Sequence, residues 1–486
     1  MSQGNRPLGG IAAEQGAGFG TSGVRGLVTS LTPGLCRAYA AGFLAMLGER
    51  PRGLLIGHDL RPSSPAIAAA CHDAARARGV ATINAGVLPT PALAFAAQEM
   101  GLPAIMVTGS HIPFDRNGLK FYRAAGEISK DDEQRILAAS VDWPLDDAAP
   151  PPLPPPDGAA QSLYLARYRR AFGPAALAGL RIGVYEHSSV ARDLLHEVLR
   201  ALGAETVGLA RSAGFVAIDT EAVRAEDRAL ALHWAGEQHL DAIVTTDGDA
   251  DRPLVADETG TWLRGDMLGL LCAREIGAAC VVTPVSSTTA IELSGLFRDV
   301  RRTRIGSPHV IAGMAQAQHR PVVGFEANGG FLLGSPAELG AAPLAPLATR
   351  DAVLPILLAL SAARRAGRPL SSLMAELPRR HSFSDRLQDI DPARCRALLA
   401  RAEETPAGLV ELFGAPPQAV DRTDGLRATL PDGGILHVRL SGNAPELRCY
   451  AEAATAEEAE RLCGTCLSRL QRLLSGTPGS SAAARR

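Results

Sequence analysis

Residues 242–252 read AIVTTDGDADR, a β-branched apolar run that breaks off into a loop with aspartates at positions 247, 249 and 251. A continuous apolar run this short, bounded by turn residues, reads as a strand buried on both faces. The same arrangement occurs twice more, as AIMVT from Ala104 running into TGSHIP (108–113) and PVVGF from Pro321 running into FEANGG (325–330). Each closing strand has an opening partner upstream: GLLIG from Gly53, GLRIGVY from Gly179 and ACVVTPV from Ala279. Ser63-Ser64, Ser188-Ser189 and Ser286-Ser287 follow these partners and offer helix starts.

This threefold pattern is an internal repeat, and apolar strands alternating with helical segments predict parallel strands covered on both sides. The expected class is α/β: three repeated α/β domains with mixed, mostly parallel sheets, plus a smaller C-terminal α+β domain, around a central cleft. The expected domains are residues 1–150, carrying TGSHIP; 157–265, carrying DGDADR; 266–372, carrying FEANGG; and 375–474, with strands around ATLPDGGILHVRLSG and CYAEA before a last helix. AAPPPLPPP (148–156) reads as an extended linker, and residues 475–486 as a disordered tail. Loops that leave the carboxyl ends of strands in open α/β sheets are where ligands bind, so three such loops predict one jointly built site.

Bulk properties narrow the partners. In the 486 residues, 49 basic and 51 acidic side chains give a formal charge of −2, which removes the broad attraction that drives nucleic-acid or anionic-membrane binding. The N-terminus lacks a basic stretch followed by an apolar core, and no 18-residue apolar run occurs, so a cytoplasmic protein with small-molecule partners is expected. The eight cysteines are scattered apart from Cys463 and Cys466, which share redox-motif spacing on a late amphipathic helix (455–474) with no second pair to complete a zinc site. They are read as reduced core residues.

Asp247, Asp249 and Asp251 converge oxygen ligands on one point, an arrangement that calls for a hard cation, Mg²⁺ rather than zinc. Arg252 beside them offers a fork for phosphate. An EF-hand needs Gly at the sixth loop position, where Arg252 stands, and a helix where LDAIVTT is strand-like. A strand ending in Asp-x-Asp also fits a haloacid-dehalogenase phosphatase with Asp247 as nucleophile. In TGSHIP, Gly109 frees the backbone beside Ser110 and His111. Downstream, Lys120 is one of only two lysines, with Lys130, in a chain that otherwise uses arginine; an ammonium can move a proton as a guanidinium cannot. VRLSGNAPELR (438–448) sets Arg439, Ser441, Gly442, Asn443 and Arg448 around a turn suited to a phosphate dianion, or to an ordinary charged hairpin.

Together, GFGTSGVRG (18–26), TGSHIPFDRNGLKFY (108–122), DGDADR, FEANGG and RLSGNAPELR, in this order over some 430 residues, resemble the α-D-phosphohexomutase family. The resemblance implies an isomerase that moves phosphate between the 6- and 1-positions of a hexose through a phosphorylated Ser110. One Mg²⁺ per active site would be held by Ser110, Asp247, Asp249 and Asp251, and a hexose 1,6-bisphosphate would serve as intermediate and activator. Arg25, Lys120, His111 and Arg252 would act at the reacting centre, with Lys120 or His111 moving the proton. His309, Glu326 and Asn328 would contact the sugar, and Arg439, Ser441, Gly442, Asn443 and Arg448 would hold the other phosphate.

The likeness is greatest to members acting on mannose phosphates, with glucose the near alternative and glucosamine further off. A monomer or homodimer, with a hinge near residue 375, is implied. All four loops depart from the commonest pattern: at Gly109 and Ile112 beside the serine, at Ala250 between the aspartates, at Asn328 and Gly330 in the third loop, and at Asn443-Ala444 in the fourth. A sugar-phosphate-binding protein without catalysis is the rival of another class.

Overall fold

The computed structural model describes residues 4–20, 22–441 and 445–475. The chain divides into two compact units. One comprises Met1–Thr283, Gly295–Arg301 and Gly306–Leu377; the other comprises Pro284–Ser294, Arg302–Ile305 and Pro378–Arg486.

The first unit is built on three mixed sheets that repeat one motif. An opening strand pairs in parallel with a closing strand, and the chain then turns back along the closing strand in antiparallel register. In the first sheet Leu54–His58 pairs in parallel with Ala104–Val107 and with Thr82–Val87, and Arg116–Arg123 returns antiparallel with Val107 opposite Leu119. In the second, Arg181–His187 pairs in parallel with Ala242–Thr246 and Glu205–Arg211, and Pro253–Ala256 returns with Thr246 opposite Pro253. In the third, Cys280–Pro284 pairs in parallel with Val322–Phe325, and Phe331–Leu333 returns with Phe325 opposite Phe331. Parallel pairing is thus confined to the opening and closing strands and their neighbours. All three polar loops sit in tight returns, which fixes both ends of each loop by backbone hydrogen bonds.

The closing strands are buried at every position, as their uninterrupted apolar runs require. Local chemistry sets the helices around the sheets. Helix Pro33–Met46 starts at Thr32, whose hydroxyl accepts from the Leu35 N–H at 3.3 Å, and has Pro33 in its first turn. Ser129 and Asp132 form a reciprocal capping box on helix Lys130–Leu137.

Of the three Ser-Ser pairs, only Ser63-Ser64 opens a helix, Ser64–Ala77. The helix after Ser188-Ser189 runs Arg192–Ala201, because the Ser189 hydroxyl instead accepts from the Ala191 N–H and shapes the turn before it. The helix after Ser286-Ser287 shrinks to Ala290–Leu293. The proline stretch 148–156 has no regular structure, as expected, but it is fastened to the first sheet: Asn84 donates to the Pro154 carbonyl at 2.7 Å, and Leu153 packs on that sheet's core.

The second unit carries a five-stranded antiparallel sheet in the order His381–Leu387, Leu447–Ala453, Ile435–Leu440, Leu426–Thr429, Ala419–Asp421. Helices Pro392–Glu404, Pro406–Phe413 and Ala456–Ser475 accompany it, and the core that forms includes Cys395, Cys449, Cys463 and Cys466. All eight cysteines are buried free thiols, and burial pushes Cys71 up to about 12, so these thiols pack as small apolar groups. Residues 476–486, the tail, lie outside the described residues. No helix among the described residues is long and apolar enough to cross a membrane.

Candidate active site

The serine loop meets the aspartate loop directly, and the third loop is joined to it through Arg350. Asp247, Asp249 and Asp251 are fully buried, and one oxygen from each lies within 4.8 Å of the others. Ser110, 1% exposed, donates its hydroxyl to Asp247 Oδ2 at 2.6 Å, and its Oγ lies 3.2 Å from His111 Nδ1. Its backbone is left-handed (φ 53°), a conformation that costs a non-glycine residue energy and that recurs at reactive serines held out from a turn. Lys120, on the return strand, donates to Asp249 Oδ2 at 2.6 Å and Asp251 Oδ2 at 2.7 Å. Arg25, on strand Val24–Leu27, donates to the Thr108 carbonyl at 2.7 Å. The Arg252 N–H donates to Asp247 Oδ1 at 3.3 Å.

Electrostatics divides these groups. Burial first, then Asp249 and Asp251, pushes the Asp247 carboxyl well above the usual range. Burial and Asp251 raise Asp249, but Lys120 and Thr90 outweigh them and hold it low; Asp251 is held low against burial by Arg350, Lys120 and Arg252. His111 lies well below its usual value, chiefly because of the Arg252 charge and then burial, so its imidazole is neutral.

Two further residues that the sequence did not single out complete the wall. Thr90, at the start of helix Thr90–Met100, donates to Asp249 Oδ2 at 2.5 Å, and its N–H donates to the Asp249 carbonyl at 2.9 Å. Arg350, at the edge of the third sheet, donates to Asp251 Oδ2 at 2.7 and 3.1 Å and to Glu326 Oε2 at 3.0 Å. A Cβ at Gly330 would lie 2.4 Å from Arg350 Cδ, so the glycine that departs from the family pattern makes room for this arginine. Glu326 Oε1 accepts from the Gly306 N–H at 3.1 Å, which sets helix Ser307–Ala315 and His309 beside it. Asn328 turns its side-chain oxygen onto the Gly330 N–H at 2.9 Å.

The second unit's hairpin places Arg439 opposite Arg448, with the Ser441 N–H donating to the Glu446 carbonyl at 2.9 Å. Each arginine meets a carboxylate there: Arg439 Nε lies 3.2 Å from Asp424, and Arg448 donates to Glu446 at 3.1 Å. Gly442 and Asn443 lie outside the described residues.

A divalent cation fits the donor set. Asp249 Oδ1 and Asp251 Oδ1 are buried without a hydrogen-bond partner, all the donors are hard oxygens, and the raised Asp247 marks excess negative charge. The strand ahead of the aspartates, Ala242–Thr246, excludes the EF-hand, which needs a helix there.

A buried serine hydrogen-bonded to an aspartate triad, on repeated α/β domains followed by a smaller antiparallel one, is the arrangement of a phosphohexomutase. The chain matches the four domain models of phosphoglucomutase/phosphomannomutase: α/β/α domain I over residues 16–142, domain II over 164–260, domain III over 264–381 and the C-terminal domain over 395–466. It belongs to the phosphoglucomutase/phosphomannomutase family, whose enzymes transfer phosphate within a hexose phosphate. It is 46% identical to a phosphomannomutase of Salmonella muenchen over 95% of this chain and 97% of that protein. It is 45% identical to one of Sinorhizobium fredii over 94% and 99%. A phosphoglucomutase/phosphomannomutase family protein of Burkholderia thailandensis shares the fold, with a TM-score of 0.74 at 22% identity over 94% of this chain and 98% of that one.

Proposed function

We propose that the protein is a phosphomannomutase interconverting mannose 6-phosphate and mannose 1-phosphate. One observation carries the chemistry: the Ser110 hydroxyl, held in a strained turn, lies 2.6 Å from one of three buried, converging aspartates. Mannose as the sugar is supported by the near full-length likeness to the two phosphomannomutases.

In this reading the four domains run over residues 1–150, 157–265, 266–372 and 375–474. Phosphorylated Ser110 gives its phosphoryl group to the free hydroxyl of the hexose phosphate, and neutral His111, whose Nδ1 lies 3.2 Å from Ser110 Oγ, relays that hydroxyl's proton to the serine oxygen as its bond to phosphorus breaks. The 1,6-bisphosphate turns over, and Ser110 takes back the other phosphoryl group. Glu326, oriented by Arg350 and the Gly306 N–H, faces the sugar hydroxyls together with His309 and Asn328. Arg439, Ser441, Gly442, Asn443 and Arg448 hold the phosphate that is not reacting, the two arginines exchanging their carboxylate partners for it. Asp247, Asp249, Asp251 and a Ser110 phosphate oxygen would hold Mg²⁺, which when bound neutralises charge on the transferring group. Arg25, Lys120 and Arg252 supply fixed positive charge beside it. A hexose 1,6-bisphosphate activates by phosphorylating Ser110, and the enzyme acts in the cytoplasm as a monomer or homodimer.

Coupled assays with mannose 1-phosphate and glucose 1-phosphate, each with Mg²⁺ and a trace of bisphosphate, test this. Preference for mannose is expected; preference for glucose would reassign the sugar, and no turnover of any hexose phosphate would leave a binding protein. Intact-mass analysis should find an acid-stable adduct of about 80 Da on Ser110.

A further inference from the structure

Beneath the reactive turn lies a buried ion pair that none of the roles above uses. Arg61, 1% exposed, follows the first opening strand and sits three residues past His58. All five of its guanidinium N–H groups are engaged. Nε donates to Asp59 Oδ2 at 3.2 Å; Nη1 donates to the carbonyls of Pro113 at 2.6 Å and Arg116 at 2.9 Å; Nη2 donates to those of Ser110 at 2.9 Å and Ile112 at 2.5 Å. Three of the five bonds therefore go to the backbone of the serine loop and a fourth to the first residue of its return strand. Asp59 grips the other side of that loop, accepting from the Thr108 hydroxyl at 2.8 Å and the Gly109 N–H at 3.2 Å. The Phe215 ring covers the guanidinium, with Cζ 4.0 Å from its centroid, and the same ring lies 3.3 Å from where a Cβ on Gly248 of the aspartate loop would stand.

The guanidinium packs directly on the loop backbone: a Cβ on Gly109 would lie 2.3 Å from Arg61 Cζ. Ser110 is left-handed and lies outside any helix or strand, so its geometry depends on what pins its two backbone groups: its N–H donates to the Thr108 hydroxyl at 2.8 Å, and its carbonyl accepts from Arg61.

We propose that Arg61 is the positioning residue that holds Ser110 in its left-handed turn, aimed at Asp247. The proposal rests on the mutase reading for its kinetic consequence, but its structural part does not. Lysine keeps the charge yet offers three donors from one point, so Arg61→Lys loses the planar grip on four carbonyls. Misplacing a reacting atom by about 1 Å costs on the order of 100-fold in rate.

For Arg61→Lys, kcat is expected to fall about 10- to 100-fold with KM within about threefold. Phosphorylation of Ser110 by glucose 1,6-bisphosphate, followed by intact mass, should slow by the same factor. Arg61→Met, which keeps the stem and removes every donor, should lower kcat and serine phosphorylation at least as far. Amide exchange across residues 108–116, which needs no substrate, should speed up in both variants while the strands of the first sheet stay protected. If one of the two variants does not fold, the other decides by the same readouts. Parental loop exchange, or kcat and serine phosphorylation within twofold of the parent, would overturn the proposal. Absence of turnover in the parent itself would instead sink the mutase reading and leave the exchange comparison to judge Arg61.

Discussion

Replacing Lys120 by methionine tests whether the aspartate cluster is held together by charge. The ammonium is 3% exposed and lies 2.6 and 2.7 Å from Asp249 and Asp251, whose side chains are 0% and 2% exposed. Methionine keeps the volume of the stem but leaves two buried carboxylates facing each other, with Arg350 still on Asp251 and Thr90 still on Asp249. Breaking a buried pair by removing one partner costs about 3–5 kcal/mol. Roughly 360 residues belong to the first compact unit, so its unfolding entropy is about 0.76 kcal/mol/K. The expected drop in the melting temperature of that unit is therefore about 4–7 °C when read by calorimetry in EDTA.

Divalent cation bears on the same carboxylates. Adding millimolar Mg²⁺ should recover more stability in Lys120→Met than in the parent, because the added charge replaces the one removed. A variant that melts within about 1 °C of the parent in EDTA, or that gains no more from Mg²⁺, would refute the idea that Lys120 balances this cluster.

Three other outcomes follow from contacts elsewhere. His72 is 1% exposed with neither ring nitrogen partnered, and burial, with help from Arg76 and His58, lowers its pKa to about 4. The folded value lies below the unfolded 6.5, so stability tied to the neutral ring is present above pH 6.5 and lost as pH falls towards 4; His72→Leu should gain about 2 kcal/mol on the parent between pH 7.5 and pH 5, and a pH-independent difference in denaturant midpoints would count against this. Arg350→Met should raise KM for hexose phosphate about 10-fold by freeing Glu326, as steady-state kinetics will show, whereas an unchanged KM would detach Arg350 from sugar binding. Asp249→Asn should weaken Mg²⁺ binding at least 10-fold in titration calorimetry, since it removes one of three convergent anionic donors; equal affinity would place the metal elsewhere.

Much of the architecture was legible because its signals are local. Uninterrupted runs such as AIMV and AIVTT announce strands buried on both faces, and the polar loops after them mark the ligand edge. Ser110, Lys120 and the three aspartates stood out by residue type and spacing. Ser188-Ser189 and Ser286-Ser287 misled because a serine next to a strand serves a turn as readily as a helix cap, and only the surrounding hydrogen bonds decide which. The return strands after each loop were also illegible, since antiparallel pairing depends on which neighbour a strand meets and not on its own sequence.

The order of amino acids carries the inventory: a thrice-repeated α/β unit, a serine in a permissive turn, a hard-oxygen triad and a rare lysine. Tertiary structure decided the couplings among them. Thr90, Arg350, Asp59 and Arg61 carry no local signature of function, and they matter only because folding sets them against Asp249, Asp251, Glu326 and the serine loop from distant parts of the chain. The physical reason is that hydrogen bonds and ion pairs act over a few ångströms in space, so residues separated by up to 159 positions in sequence, as Thr90 and Asp249 are, become partners only once the sheets are packed.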